Sequence, residues 1–270
     1  MQQPLTLQAV ILDWAGTTVD YGSRAPTQVF IEVFAQHGIQ ITADEARGPM
    51  GLFKRDHIRQ ITQLPRVKEQ WQSVHHRLPD EEDAQNIYMD FTPRQLEVIV
   101  QYADLIPGVR DTVEAYRESG LKIGSCTGYT RSMMAVLLPE ATRQRYHPDS
   151  LVCPEDVGGG RPAPWMIWQN AIKLQVSTAS AMVKIGDTVA DIDEGRNAGT
   201  WTVALAKTGN ELGLSEAEVD ALAPDDVAAR LNAIYEKLYA AGAHYVVDSL
   251  ADTLPVLDDI NARLAAGERP

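Results

Sequence analysis

Hydrophobic and polar positions keep two different rhythms along this chain. Ala9-Val10-Ile11-Leu12 is wholly apolar and stops abruptly at Asp13-Trp14-Ala15-Gly16-Thr17-Thr18. A short continuous apolar run of this kind reads as a strand buried on both faces, as in a parallel sheet. Past residue 22 the period becomes helical. Val29, Phe30, Val33 and Phe34 recur at helical spacing within 27–37, with Gly38 as the stop. Thr42 and Glu45 have capping-box spacing. Gly48-Pro49-Met50-Gly51 breaks the pattern, and helical spacing resumes over 52–62, 65–77 and 80–103, with interruptions at Pro79 and Pro93. No convincing strand falls within 22–100.

From Pro107-Gly108 onward the two rhythms alternate. Strands are predicted at 121–128, 151–153, 181–186, 201–206 and 245–247, and helices at 109–119, 130–138, 165–174, 190–198, 226–241 and 251–264, with a loop over 155–164. Strands alternating with helices predict an α/β fold, a doubly wound (Rossmann-like) parallel sheet. The helical block is then a cap domain, 22–99, inserted after the first strand of a core built from 1–21 and 100–270. Its linkers fall near 20–25 and 99–107.

Composition narrows the partners. A chain of 270 residues holds one large domain or two smaller ones. The net charge of −13 argues against nucleic acid and leaves no basic patch for an anionic membrane. An anionic substrate must therefore be held by local cations and backbone amides. Cys126 and Cys153 make no disulfide framework and fit a reducing cytoplasm. Met1 to Leu7 lacks a signal-peptide pattern, and no apolar run approaches the ~20 residues of a membrane span.

A parallel sheet brings the polar ends of three strands to one edge: Asp13, Thr127-Gly128, and Gly186-Asp187-Thr188-Val189-Ala190-Asp191. Asp13 with Asp187, and Asp191 nearby, makes an oxygen-rich site suited to Mg²⁺, which takes few carboxylates plus waters and a phosphate oxygen. Thr127 precedes a helix N-terminus and is placed to bind an anion. Each residue has a plainer alternative: an Asx turn for Asp13, an N-cap for Thr127, and helix-start electrostatics for Asp191.

Together these stretches resemble the haloacid dehalogenase-like superfamily. Its members use an aspartate nucleophile, a Thr or Ser on the second strand, a Lys or Arg further on, and paired acids on a later strand. Its phosphatases carry Asp-x-Asp, the second Asp protonating the leaving alkoxide; here that position is Ala15. Loss of a general acid costs an ordinary ester ~10²–10⁴-fold. Either activity is lost, or the leaving group needs no proton from that position. In the cap, Lys54 and His57 share one helix face by i, i+3 spacing. Most lysines are solvated, but an enclosed one loses its proton and can form a Schiff base with a carbonyl. For His57 a solvated or core role is the alternative.

The whole set closely resembles the phosphonatase family over essentially the full chain. It comprises Asp13-Trp14-Ala15-Gly16-Thr17-Thr18-Val19-Asp20-Tyr21-Gly22, Pro49-Met50-Gly51 with Lys54 and His57, Thr127-Gly128-Tyr129-Thr130-Arg131, Gly160-Arg161-Pro162-Ala163-Pro164-Trp165-Met166, and Gly186-Asp187-Thr188. Glu194-Gly195-Arg196-Asn197-Ala198-Gly199 and Glu211-Leu212-Gly213-Leu214 extend the match. The resemblance implies cleavage of the phosphorus–carbon bond of phosphonoacetaldehyde through a Lys54 imine and an aspartyl phosphate on Asp13. It further implies Mg²⁺ on Asp13, the Ala15 carbonyl and Asp187, with Asp191 near the sphere. Thr127, Gly128 and Arg161 would bind the phosphonate; Met50, Tyr129 and His57 would line the imine side, His57 moving protons by way of water. A homodimer through the caps is also implied.

Ser23-Arg24 departs from the cysteine and aromatic usual in the family's first linker, which puts any role of a linker thiol in doubt. Ala15 argues against a phosphomonoesterase or a phosphoglucomutase-like enzyme. Lys54 argues against a catalytically silent phosphate-binding protein.

Overall fold

The computed structural model describes residues 5–270. Its first strand, β1 (Ala9–Leu12), is wholly buried. Val10 and Leu12 enter one apolar cluster and Ala9 and Ile11 another, on opposite faces, as the pleat requires. Five helices of the insert follow β1: α1 (Arg24–Gln36), α2 (Ala43–Arg47), α3 (Lys54–Gln63), α4 (Pro65–His75) and α5 (Glu81–Val98). The Thr42–Glu45 capping box opens α2 as expected, and Phe30 of α1 stacks on Phe91 of α5 at 4.4 Å between centroids.

The remainder alternates: α6 (Val109–Glu118), β2 (Lys122–Cys126), α7 (Arg131–Arg143), β3 (Ser150–Val152), α8 (Pro154–Val157), α9 (Trp165–Leu174), β4 (Met182–Gly186), α10 (Val189–Ala198), β5 (Trp201–Leu205), α11 (Glu216–Asp220), α12 (Pro224–Ala240), β6 (Tyr245–Val247) and α13 (Leu254–Ala265). All strand pairs are parallel, in the order β3-β2-β1-β4-β5-β6. Helices α6, α7 and α13 bury side chains on one face. Helix α9 covers part of the other, and α10 with α12 the rest. The doubly wound α/β fold with a helical insert is as the alternation predicts. Among the described residues no helix is long and apolar enough to cross a membrane.

Two helices run through prolines where the predicted pattern is interrupted or ends. Helix α5 runs straight through Pro93, and α7 continues through Pro139 to Arg143, five residues past the predicted end at 138. In each case the proline and the residue four before it (Met89 and Ala135) are at least partly exposed. The carbonyl deprived of an N–H partner therefore remains hydrated. Two single-turn helices, α8 inside the predicted loop and α11, are too short to show a periodicity.

The strand order reverses between β1 and β4, the switch point where open α/β sheets bind ligands beyond the carboxyl ends of their strands. Just before α1 the chain turns through three left-handed residues, Asp20, Gly22 and Ser23. The Asp20 carboxylate anchors this turn by accepting from the Arg24 and Ala25 amides at 2.9 and 3.0 Å, thereby capping α1. Burial raises its pKa to about 6 although both amides pull it down. A raised carboxyl pKa gives a stability contribution that is full below the unfolded value and lost as pH rises through about 6. Asn tolerates the left-handed backbone. Urea unfolding of Asp20→Asn beside the parent should therefore show a stability difference that changes between about pH 4 and 6 and is flat above.

Candidate active site

Asp13 follows β1 directly, its amide donating to the Ile185 carbonyl of β4 at 3.0 Å. The chain then turns back tightly at Gly16, whose φ of +81° is left-handed. A Cβ there would stand 2.2 Å from Asp187 Oδ2, so only glycine lets the β1 turn lie against the carboxylate that ends β4. Thr17 Oγ1 donates to Asp187 Oδ1 at 3.2 Å and the Asn210 amide to Oδ2 at 2.7 Å. Asp13, Asp187 and Asp191 lie together, with a carboxylate oxygen of each within 4.8 Å of the others.

Beneath them lies a buried network of charges. Arg161 Nη2 reaches Asp13 Oδ1 at 2.7 Å and Asp191 Oδ1 at 3.0 Å, while its Nε donates to Glu194 Oε2 at 2.8 Å. Lys184 Nζ adds 2.8 Å to Asp191 and 3.5 Å to Glu194. Burial opposes ionisation of Asp191, but Arg161 and Lys184 hold its carboxyl below the usual carboxylate range. Asp187 has no such partner: burial and then Asp13 push its pKa well up. Burial also raises Asp13, against the pull of Arg161.

This imbalance tests the fit to a metal. Four buried carboxyl groups, Asp13, Asp187, Asp191 and Glu194, face two buried cations, Arg161 and Lys184, so their full ionisation leaves two negative charges uncompensated within that network. Asp187 and Asp13 carry that excess with hard oxygen donors on one edge, which is the chemistry of a divalent cation such as Mg²⁺. Asp191 turns its Oδ1 to Lys184 and Arg161 and takes Thr188 Oγ1 on Oδ2. It is thus a ligand-positioning neighbour more than a free donor.

Lys54 opens α3 and is buried although it makes no ion pair among the described residues. Its Nζ lies 5.1 Å from the Tyr129 ring centroid, 5.7 Å from that of Phe30, and 4.0 Å from Met50 Sδ. Burial lowers its pKa to about 8, partly offset by Asp13. His57, one turn on, is fully buried against Phe30, 4.0 Å between centroids. Its Nε2 donates to the Ala46 carbonyl at 2.8 Å, which leaves Nδ1 as an unpartnered acceptor. Burial, and then Lys54, hold the ring neutral.

Core and insert meet around one small cavity of about 20 Å³, lined by Asp13, Ala15, Met50, Lys54, Thr127, Gly128, Tyr129 and Arg161. That is room for about one water. Gly128 must be glycine, since a Cβ there would meet the Leu52 carbonyl oxygen at 2.5 Å. The residues singled out in the sequence are thus brought to one place, with His57 behind Lys54 rather than in the cavity wall. Ser23 and Thr188 also line the cavity, and have no part assigned from sequence. Sequence reasoning misses Lys184 and Glu194 as members of the charge network. The signals are a lysine inside the apolar run of β4 and a second acid three residues after Asp191 on one helix face.

A parallel sheet with an aspartate at its switch point, a second-strand Thr, a buried Arg and later paired acids defines a class. The chain belongs to the haloacid dehalogenase-like hydrolases, whose family model matches residues 7–199. Within that class it is an enzyme of the phosphonoacetaldehyde hydrolase family. It is 50% identical over 264 residues to phosphonoacetaldehyde hydrolase of Paraburkholderia xenovorans, covering 98% of this chain and 99% of that one. A phosphonoacetaldehyde hydrolase-like protein of Syntrophobacter fumaroxidans is 51% identical, over 98% and 95% of the two chains. The crystal structure of a phosphonoacetaldehyde hydrolase-like protein from Oleispira antarctica superposes with a TM-score of 0.96 at 40% identity, covering 100% of this chain and 99% of that one.

Removing one cation from a buried network strands its partners, which costs about 3–5 kcal/mol. Lys184→Met should lower unfolding free energy by that amount in urea titrations. A loss under about 1 kcal/mol would mean that Arg161 alone neutralises Asp191 and Glu194.

Proposed function

We propose that the protein hydrolyses the phosphorus–carbon bond of phosphonoacetaldehyde to acetaldehyde and phosphate. The observation that carries this is the pairing of an absence with a presence. Ala15 stands where a proton-donating acid would serve an alkoxide, and the buried Lys54, its pKa lowered to about 8, lines the same cavity as Asp13. A lysine with a substantial neutral fraction near neutral pH is a nucleophile for an aldehyde.

In this reading the Lys54 amine adds to the aldehyde and water leaves, giving a protonated imine. Tyr129, Phe30 and Met50 hold the cation by their ring faces and sulfur. Thr127, the Gly128 amide and Arg161 hold the phosphonate, Arg161 with the planar fork suited to its oxygens. An Asp13 carboxylate oxygen attacks phosphorus. The P–C electron pair moves into the carbon skeleton, so the organic fragment leaves as an enamine on Lys54 and no alkoxide needs a proton. Water then hydrolyses the aspartyl phosphate. The enamine takes a proton on carbon, and hydrolysis of the resulting imine frees acetaldehyde and Lys54. His57, neutral with Nδ1 unpartnered, supports a proton-moving part by way of water. Mg²⁺ held by Asp13, the Ala15 carbonyl and Asp187 would screen the charge between carboxylate and phosphonate.

The same reading takes the protein as a cytoplasmic homodimer joined through the inserts. Val74, Leu78 and Met89 expose apolar surface there, and the two cysteines are free.

Borohydride added with acetaldehyde or phosphonoacetaldehyde should inactivate the enzyme irreversibly and leave a reduced adduct that peptide mass spectrometry maps to Lys54. An adduct on another lysine, or none, sinks the imine. Lys54→Arg should abolish acetaldehyde release, since a guanidinium forms no imine, and Ala15→Asp should bring no gain in P–C cleavage.

A further inference from the structure

Arg47 ends α2 on the insert, yet its guanidinium reaches away from the insert's helices. Nη1 donates to the Gly22 carbonyl at 2.8 Å and to Asn210 Oδ1 at 3.2 Å, and Nη2 donates to the Gly213 carbonyl at 2.9 Å. Asn210 answers, its Nδ2 donating to the Arg47 carbonyl at 3.2 Å. In a chain of net charge −13, this half-buried arginine pairs with no carboxylate among the described residues and spends its fork on backbone and amide oxygens. The contact is tight: a Cβ at Gly213 would lie 2.6 Å from the Arg47 guanidinium carbon.

What Arg47 grips leads directly to the catalytic carboxylates. The buried Asn210, held by Arg47 through its side chain, donates its own amide to Asp187 Oδ2 at 2.7 Å. The adjacent Gly209 lies so close that a Cβ would come 2.5 Å from Asp187 Cβ. On the other side, Gly22 donates to the Thr208 carbonyl at 2.8 Å, and Thr208 Oγ1 donates to the Gly16 carbonyl at 2.9 Å in the turn that covers Asp187. Three stretches distant in sequence are thus pinned by one side chain: the linker into α1, the end of α2, and the loop after β5.

We infer that Arg47 is a positioning residue, coupling the seating of the helical insert on the strand ends to the orientation of the Asp187 carboxylate through Asn210. This rests on the reading of Asp187 as a metal-holding carboxylate. Groups that orient a ligand from outside the metal's own coordination sphere change metal affinity by about 10–100-fold when removed. A lysine cannot replace the residue, because one ammonium cannot span Gly22, Asn210 and Gly213 as a planar fork does.

The test is calorimetric titration of the full-length protein with Mg²⁺, without substrate, beside circular dichroism of each variant. Arg47→Ala and Asn210→Ala should each weaken Mg²⁺ binding about 10- to 100-fold, with Arg47→Lys no better than Arg47→Ala. The double variant should be no worse than either single one, since both cut the same link. Arg47→Ala binding Mg²⁺ as tightly as the parent overturns the inference, as does a double variant whose losses add. If Arg47→Ala does not fold, Asn210→Ala alone decides by the same criterion. A parent protein that binds no Mg²⁺ overturns the metal reading and the inference with it; a parent that binds Mg²⁺ while Arg47→Ala binds equally well overturns the inference alone.

Discussion

The structure depends on placing four carboxyl groups, Asp13, Asp187, Asp191 and Glu194, together with two cations in a buried place. Taking a charge out of water costs several kcal/mol even after the surroundings relax, so each of these groups must be answered. Arg161 answers three of them at once, touching Asp13, Asp191 and Glu194. Lys184 shares the last two. The elements are arranged to make this possible. The strand-order reversal between β1 and β4 puts Asp13 beside Asp187, and α10 turns Asp191 and Glu194 to one side by their i, i+3 spacing. The network stops short of Asp187, whose carboxyl is left without a cation beside the Asp13 and Asp191 oxygens, a donor set that fits a divalent cation.

That electrostatic arrangement also limits what chemistry the site can do. Arg161, answering Asp13 from one side, works against the rise in pKa that burial imposes on that carboxyl. The cavity holds no acid at the position of Ala15, which contributes a methyl group and a backbone carbonyl. In the proposed reaction the missing proton donor is replaced by an electron sink. It comes from Lys54, on a part of the chain with no share in the sheet. Nucleophile and sink therefore have to be brought together by docking of the insert, which explains why its contacts with the core are so close. Gly128 lets the β2 loop approach the Leu52 carbonyl, and Arg161 itself donates to the Gly51 carbonyl at 3.1 Å.

Much of this is legible in the chain, because the signals are local. Apolar runs ending in Asp13, Thr127 and Asp187 announce parallel strands and their functional edge, and the helical period of 22–100 announces the insert. Reading Pro93 as an interruption, and ending the later helix at 138, misleads, since a proline's effect depends on whether the freed carbonyl meets water, which is a tertiary fact. The buried charge network is harder for a different reason. Lys184 lies within an apolar strand and Glu194 on a helix, and neither stands out until the sheet sets them beside Arg161. The Arg47–Asn210 link is invisible for the same reason: its partners are separated by 163 positions, and backbone carbonyls leave no mark in a sequence.

Splitting the machinery between core and insert gives the proposed enzyme its selectivity without a tailored pocket. A phosphate ester reaching Asp13 would meet a nucleophile but no proton donor, a deficit of ~10²–10⁴-fold in rate. An aldehyde without a phosphonate would engage Lys54 and find nothing for Asp13 to attack. Only a molecule carrying both groups, one carbon apart, uses both halves. The small cavity, with room for about one water, leaves little solvent around Lys54. In so dry a site a carbanion-like fragment can be delocalised onto Lys54 before water protonates it. Discrimination here comes from requiring two functional groups at a fixed separation, not from the tightness of any single contact.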